Sequence, residues 1–124
     1  MEVISVKISG IHHVQLCIPA DKESEAKKFY KDILGLKEIP KPDALLKNGG
    51  MWFQVGSQEL HIGVEDQVFK GKHHPAFFVM GLNELKDHLT AQEITIQKEL
   101  PIPGYNRFSI RDPFGNRIEF IEPE

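Results

Sequence analysis

The 124-residue chain has 15 Lys and Arg against 18 Asp and Glu, a net charge of −3, with no basic stripe to neutralise phosphates, so nucleic acid is excluded as the expected partner. A single cysteine, Cys17, rules out an internal disulfide and gives no reason to expect an oxidising compartment. No secretion signal follows Met1 and no window reaches the ~18 apolar residues of a membrane span, so the expectation is a cytoplasmic protein with no membrane partner, folded as one domain over 1–124.

Residues 11–18 alternate, with Val14, Leu16 and Ile18 on one face and Ile11, His13, Gln15 and Cys17 on the other, the period of a half-buried strand. Pro19 ends it, Asp21 is placed to cap a helix, and Ala26, Phe29, Tyr30, Ile33 and Leu34 recur at helical spacing before Gly35. Pro40 and Pro42 forbid a long central strand. Three short strands are predicted next, at 44–47, 51–55 and 59–64, separated by Asn48-Gly49-Gly50 and Gly56-Ser57. The first module, about 10–65, therefore reads βαβββ.

A polar stretch without periodicity, 65–73, connects to a second module at about 74–122. There 75–80 is a predicted strand, Leu82, Leu85 and Leu89 mark one face of a helix, and 94–98, 106–111 and 117–121 are predicted strands. Asp112-Pro113-Phe114-Gly115-Asn116 has the chemistry of a tight turn, since Pro113 favours its start and Gly115 accepts positive φ. Two copies of one unit, in a chain too short for two independent cores, predict an α+β fold. The modules either form one cupped mixed sheet with helices on its outer face or pack their sheets together.

Parity then sorts the polar residues. His13 and Gln15, Glu59 and His61, His74 and Ala76, Arg107 and Ser109, and Arg117 and Glu119 all lie opposite the apolar positions of their strands. If these faces meet in a concavity, His13, His61, His74 and Glu119 converge, and imidazoles with a carboxylate suit Fe, Mn, Ni, Co or Zn. The same parity equally describes an ordinary sheet with a solvated polar face. Arg107 is placed either to clamp an anionic substrate group or to pair with Glu59 or a strand neighbour. Trp52 and Phe53 read as pocket lining or as core. Cys17 reads as an inert buried thiol, Glu59 as an exposed carboxylate, His12 and His73 as packed or partly exposed neighbours, and His88 as facing solvent from its helix.

Gly10-Ile11-His12-His13-Val14, followed by Phe29-Tyr30-Lys31-Asp32-Ile33-Leu34-Gly35-Leu36, resembles the opening of the vicinal oxygen chelate superfamily, which holds glyoxalases, bleomycin-resistance proteins and extradiol dioxygenases. Residues 111–120, with Asp112-Pro113-Phe114-Gly115-Asn116 and Glu119, resemble its closing hairpin, and His73-His74-Pro75-Ala76-Phe77 resembles the start of its second repeat. The resemblance spans 11–122. It implies a divalent metal held by His13, His74 and Glu119, a fourth family position at His61, a small substrate that chelates through vicinal oxygens, and a homodimer. Relatives of the glyoxalase I and methylmalonyl-CoA epimerase types usually carry glutamate at that fourth position. A histidine there weighs against lactoylglutathione lyase activity, because neutral imidazole gives a metal less negative charge and is a different base. His61 and Glu119 are thus the catalytic candidates, with Arg107, Gln15, Trp52 and Ser109 as substrate-binding ones. The implied reaction is of the lyase, isomerase or dioxygenase kind; the alternative is a metal-free protein that sequesters an antibiotic or a small hydrophobic metabolite.

Overall fold

A computed structural model describes residues 5–124. Strand β1 (His13–Ile18) follows the alternation of its sequence, burying Leu16 and Ile18 while His13 and Gln15 stay exposed. A 3-10 turn (Ala20–Lys22), helix α1 (Glu23–Lys27) and a π-helical turn (Lys28–Ile33) then run on as one element that buries Ala26, Phe29 and Tyr30. Asp21 does not cap it: Pro19 holds the N-cap position at φ −64°, and Asp21 lies inside the first turn with no capping hydrogen bond. Gly35, at φ 72°, ends the element, and the N–H of Leu36 donates to the carbonyl of Tyr30 at 3.0 Å.

The segment 44–47 is not a strand but part of a 3-10 helix, Asp43–Asn48. Pro40 and Pro42 lack the N–H groups a ladder needs, and the N–H of Leu45 closes instead onto the carbonyl of Pro42 at 2.9 Å. The strand that completes the first module lies just before these prolines: β2 (Lys37–Ile39) pairs antiparallel with β3 (Met51–Val55). β3 pairs antiparallel with β4 (Gln58–Val64), and β4 lies parallel to β1, giving the order β1-β4-β3-β2. Gly50 is required at the entry to β3, because a Cβ there would sit 2.0 Å from the carbonyl oxygen of Ile62.

The second sheet repeats the plan with shorter outer strands: β5 (Ala76–Phe78), α2 (Leu82–Ala91), β6 (Gln97–Lys98), β7 (Tyr105–Arg111) and β8 (Arg117–Pro123), in the order β5-β8-β7-β6 with β5 parallel to β8. β6 is shorter than its apolar pattern. After α2, Glu93 takes a left-handed φ of 62° and the N–H groups of Glu93 and Ile94 return to the helix, so the chain reaches β7 only at Gln97. Among the described residues no helix is long and apolar enough to cross a membrane.

Of the two arrangements the sequence allowed, the modules keep separate sheets and share a core. Leu16, Ile18, Phe53, Leu60 and Ile62 of the first sheet, Phe108, Ile110, Ile118 and Phe120 of the second, and helical Phe29, Tyr30, Leu82 and Leu89 form one buried cluster. The polar face of each sheet lies on the side away from that cluster. A buried polar hub joins the modules inside it. The Tyr30 hydroxyl donates to Asp112 Oδ2 at 2.6 Å, and Asn116 Nδ2 donates to the same oxygen at 2.8 Å and to the Cys17 carbonyl at 2.9 Å. Asp112 Oδ1 accepts from the backbone N–H groups of Phe114 and Asn116.

Asp112→Ala would leave the phenol and the Asn116 amide buried without their acceptor, and should cost about 3 kcal/mol in urea denaturation with an unchanged slope; Tyr30→Phe should cost about 1–2 kcal/mol. Burial, and then the charge of Asp112, push the Tyr30 phenol well above its ordinary pKa. A group whose pKa is raised by folding stabilises below its unfolded value, so stability should fall as pH rises past about 10, and Tyr30→Phe should flatten that loss.

Candidate functional site

The polar face of the first sheet carries His13 and Gln15 on β1, Glu59 and His61 on β4, and Trp52 on β3, with Gln15 and Trp52 the register neighbours of His61. The indole of Trp52 stacks on the His61 ring at 3.8 Å and 2°, and His13 stacks on His61 at 4.0 Å and 14°. His61 is left 5% exposed. Its Nε2 meets Glu59 Oε1 at 2.9 Å. An ionised carboxylate only accepts, so Nε2 carries the hydrogen, and Nδ1 of the neutral ring keeps its lone pair. The hydrogen bond from His61 is the main reason Glu59 is held below the ordinary carboxylate range. Burial, followed by the neighbouring rings of His61 and His12, lowers the pKa of His13, against a smaller raising effect of Glu59. His12 and His13 share a hydrogen between their Nδ1 atoms at 2.9 Å. A cavity of about 680 Å³ covers this face, walled by His13, His61, Trp52, Lys41 and Leu45 among others.

The second sheet carries a polar cluster of its own. Glu119 on β8 is 3% exposed, in register between Ala76 of β5 and Ser109 of β7. His74 Nε2 at 3.0 Å and Arg107 Nη1 at 2.9 Å both approach Glu119 Oε1. His74 Nδ1 lies 2.7 Å from the Lys72 carbonyl, which can only accept, so Nδ1 carries the hydrogen. Nε2 then either donates to the carboxylate as the second N–H of an imidazolium or, on a neutral ring, turns a lone pair toward it that needs a cation between the two. Arg107 also donates through Nε and Nη2 to the Leu100 carbonyl. Ser109 is fully buried and donates to Glu99, which Arg117 Nη2 also reaches at 2.7 Å. These contacts, the Ser109 hydrogen bond first, keep Glu99 below the ordinary carboxylate range. Ser109 thus holds the loop after β6 to the sheet instead of facing open space.

Within one chain the four residues singled out from the sequence stand as two pairs, His13 with His61 and His74 with Glu119. Among the described residues no three His, Cys, Asp or Glu side chains come together as a group that could hold a metal ion. The expected convergence of all four is therefore not seen within the single chain, where each pair stands on the polar face of its own sheet. Other readings change as well. Glu59 is not a lone exposed carboxylate but the partner of His61, a pairing its two-residue offset on the same strand face already allowed. His88 does not simply face solvent: its Nε2 donates to the Ile33 carbonyl at 2.8 Å, a second link between the modules. Cys17 is only half-buried, enough to push its thiol pKa up. Gln15 is exposed on the polar face, with its amide 3.9 Å from the Cys17 sulfur.

The family model of the Glyoxalase/Bleomycin resistance protein/Dioxygenase superfamily matches residues 10–120. The chain belongs to this superfamily. A glyoxalase family protein from Bacillus anthracis is 45% identical, with a TM-score of 0.92 over 98% of this chain and 100% of that one. A lactoylglutathione lyase from Agrobacterium tumefaciens is 26% identical at a TM-score of 0.73, over 94% and 95% of the two chains. A fosfomycin resistance protein from Listeria monocytogenes shares the fold at 18% identity and a TM-score of 0.74, over 95% and 96%. No curated protein matches the chain. In this glyoxalase-superfamily member the motif residues Tyr30, Asp112 and Asn116 are structural, forming the hub between modules, whereas His13, His74 and Glu119 lie on the polar faces.

Trp52 is the only tryptophan, and one face of its indole is covered by His61. His61→Ala should uncover that face, raising the acrylamide quenching of tryptophan emission and shifting it to the red, with the far-ultraviolet circular dichroism unchanged.

Proposed function

We propose that the chain is a divalent-metal-dependent enzyme of the glyoxalase type, a lyase, isomerase or dioxygenase acting on a small substrate through two vicinal oxygens. The observation that carries this reading is the His74–Glu119 pair. His74 Nε2 and a buried carboxylate oxygen of Glu119 face each other at 3.0 Å, a separation that a shared proton or a shared metal ion accounts for, with the ring oriented by the Lys72 carbonyl behind it. A ligating histidine fixed in this way by an acceptor on its other nitrogen is the usual companion of a bound metal. The donor chemistry fits: three imidazoles and one carboxylate suit Fe, Mn, Ni, Co or Zn.

His74 and Glu119 would hold the metal from one side, and His13 and His61 from the other. Because these pairs do not come together within one chain, each complete site would take His13 and His61 from one protomer and His74 and Glu119 from its partner, in a homodimer. The lone chain supports this by what it leaves uncovered: Ile8, Phe78, Met80 and Leu100 are each more than three-quarters exposed. When bound, a divalent metal supplies the Lewis acidity that stabilises negative charge on a substrate oxygen. His61 acts through Nδ1, as a fourth ligand or as the base that takes a proton from the carbon beside that oxygen. Arg107 steadies Glu119 and offers a positive charge to an anionic substrate group, while Trp52 and Leu45 keep water from one wall. Gln15 sits where it reaches the substrate from the same wall. A cytoplasmic setting suits the unpaired Cys17.

The Arg107–Glu119 contact at 2.9 Å favours a second reading, since it already neutralises the carboxylate as a purely structural ion pair would. In that reading the protein binds and sequesters a small molecule without metal. Elemental analysis of untagged protein separates the two. The enzyme reading expects about one equivalent of metal per chain, lost in Glu119→Gln and lowered at least about tenfold in His74→Ala with folding intact. No metal even after reconstitution would favour the binding protein. The shared site has its own test. His13→Ala and His74→Ala proteins should each bind little metal alone, but a mixture that has exchanged subunits should regain about a quarter of wild-type occupancy, because each mixed dimer holds one intact site. No recovery in a mixture shown to have exchanged would exclude a site shared across the interface.

A further inference from the structure

We propose that Glu59 and Trp52 are positioning residues that present His61 to the site with its ring fixed in plane and only its Nδ1 lone pair free. The proposal rests on the reading of His61 as a site residue, and it deepens that reading by naming what aims the ring.

The ring is held on three sides. Trp52, its direct register partner on β3, covers one face at 3.8 Å, and His13 on β1 covers the other at 4.0 Å. A half-turn of the imidazole about its Cβ–Cγ axis would carry the ring through a perpendicular orientation, for which these two gaps leave no room. The Nε2 edge is closed by Glu59, two residues earlier on the same face of β4. The neighbouring polar side chain on β3, Gln54, is turned away from Glu59, since its Nε2 donates to the carbonyls of Gly56 and Gln58 at 2.8 and 3.0 Å. Glu59 is thus left to His61. A neutral imidazole has one donor and one acceptor nitrogen, so an acceptor fixed at Nε2 leaves Nδ1 as the acceptor. Either ligation or proton abstraction needs that lone pair.

The test joins nitrogen-15 NMR of the histidine rings in metal-free protein with zinc titration. In the wild type, the His61 Nε2–H proton should be observable, protected from exchange by its carboxylate partner, with Nδ1 unprotonated. Glu59→Leu should abolish that signal and weaken zinc binding about 10–100-fold, whereas Glu59→Gln, which keeps an acceptor oxygen, should retain the signal and recover part of the affinity. Trp52→Leu should weaken zinc binding and Trp52→Phe should preserve it. A His61 proton on Nδ1, or an Nε2–H signal unchanged in Glu59→Leu, would overturn the proposal, as would, in a wild type that binds zinc, wild-type zinc affinity in all four variants. A wild type that shows the NMR pattern yet binds no zinc would refute the metal reading and leave the positioning of His61 standing.

Discussion

One buried carboxylate joins the two modules. Asp112 receives a phenol from the first module, an amide from its own turn and two backbone N–H groups, and so has four donors in a place water does not reach. An ionised carboxylate in such a position is tolerable only when its oxygens are satisfied, which makes the turn conformation, the π-helical placement of Tyr30 and the approach of β1 through Cys17 mutually dependent. Local geometry supports it: Gly115 takes φ 95° and the Gly115 N–H closes onto the Asp112 carbonyl at 3.1 Å. The hub fixes how the modules meet, and the shared apolar core fills in around it.

That way of meeting decides where the chemistry lies. The apolar faces of both sheets and of the helices point into the shared core, so each sheet's polar face turns away from it. Each sheet carries one polar cluster, internally paired: a stacked trio of rings closed by Glu59 on one, a carboxylate between an imidazole and a guanidinium on the other. The two clusters differ in character. The first is a flat aromatic wall over an open cavity, and the second is a tight ionic cluster whose arginines also hold the loop after β6 in place through Leu100 and Glu99. Substrate shape would be read chiefly on the first, and charge on the second.

Much of this was legible in the sequence, for definite reasons. Period-two alternation places His13, His61, His74 and Glu119 on the polar faces, because a strand cannot bury Leu16 and Ile18 without turning His13 and Gln15 the other way. The family motifs are legible because they are the hub: Tyr30, Asp112 and Asn116 are needed together. What parity cannot say is where a face goes once the sheet is packed, so the division of the four residues into two pairs could not be read from it. Short elements were also hidden. β2 has three residues and no alternation long enough to detect, and the 3-10 helix after Pro42 has a run of Ala and Leu that looks like strand until the missing N–H groups of the prolines are counted. The role of Glu59 is not legible in sequence, because a carboxylate beside a cavity looks solvated until the ring it faces is known to be trapped between two others.

Among the described residues the strand orders leave four edges, β1 and β2 in one sheet and β5 and β6 in the other. Three of them are two or three residues long, too short to template a foreign strand. The fourth, β1, has six residues and is preceded by an exposed stretch that carries Val6, Ile8 and Ile11. Among the described residues, unwanted strand addition to a chain that has not met its partner, whether misassembly at high concentration or the seeding of an aggregate, therefore has one main entrance. A charged residue or a proline placed at its outward N–H positions would be the most economical way to make the chain more tolerant of concentration.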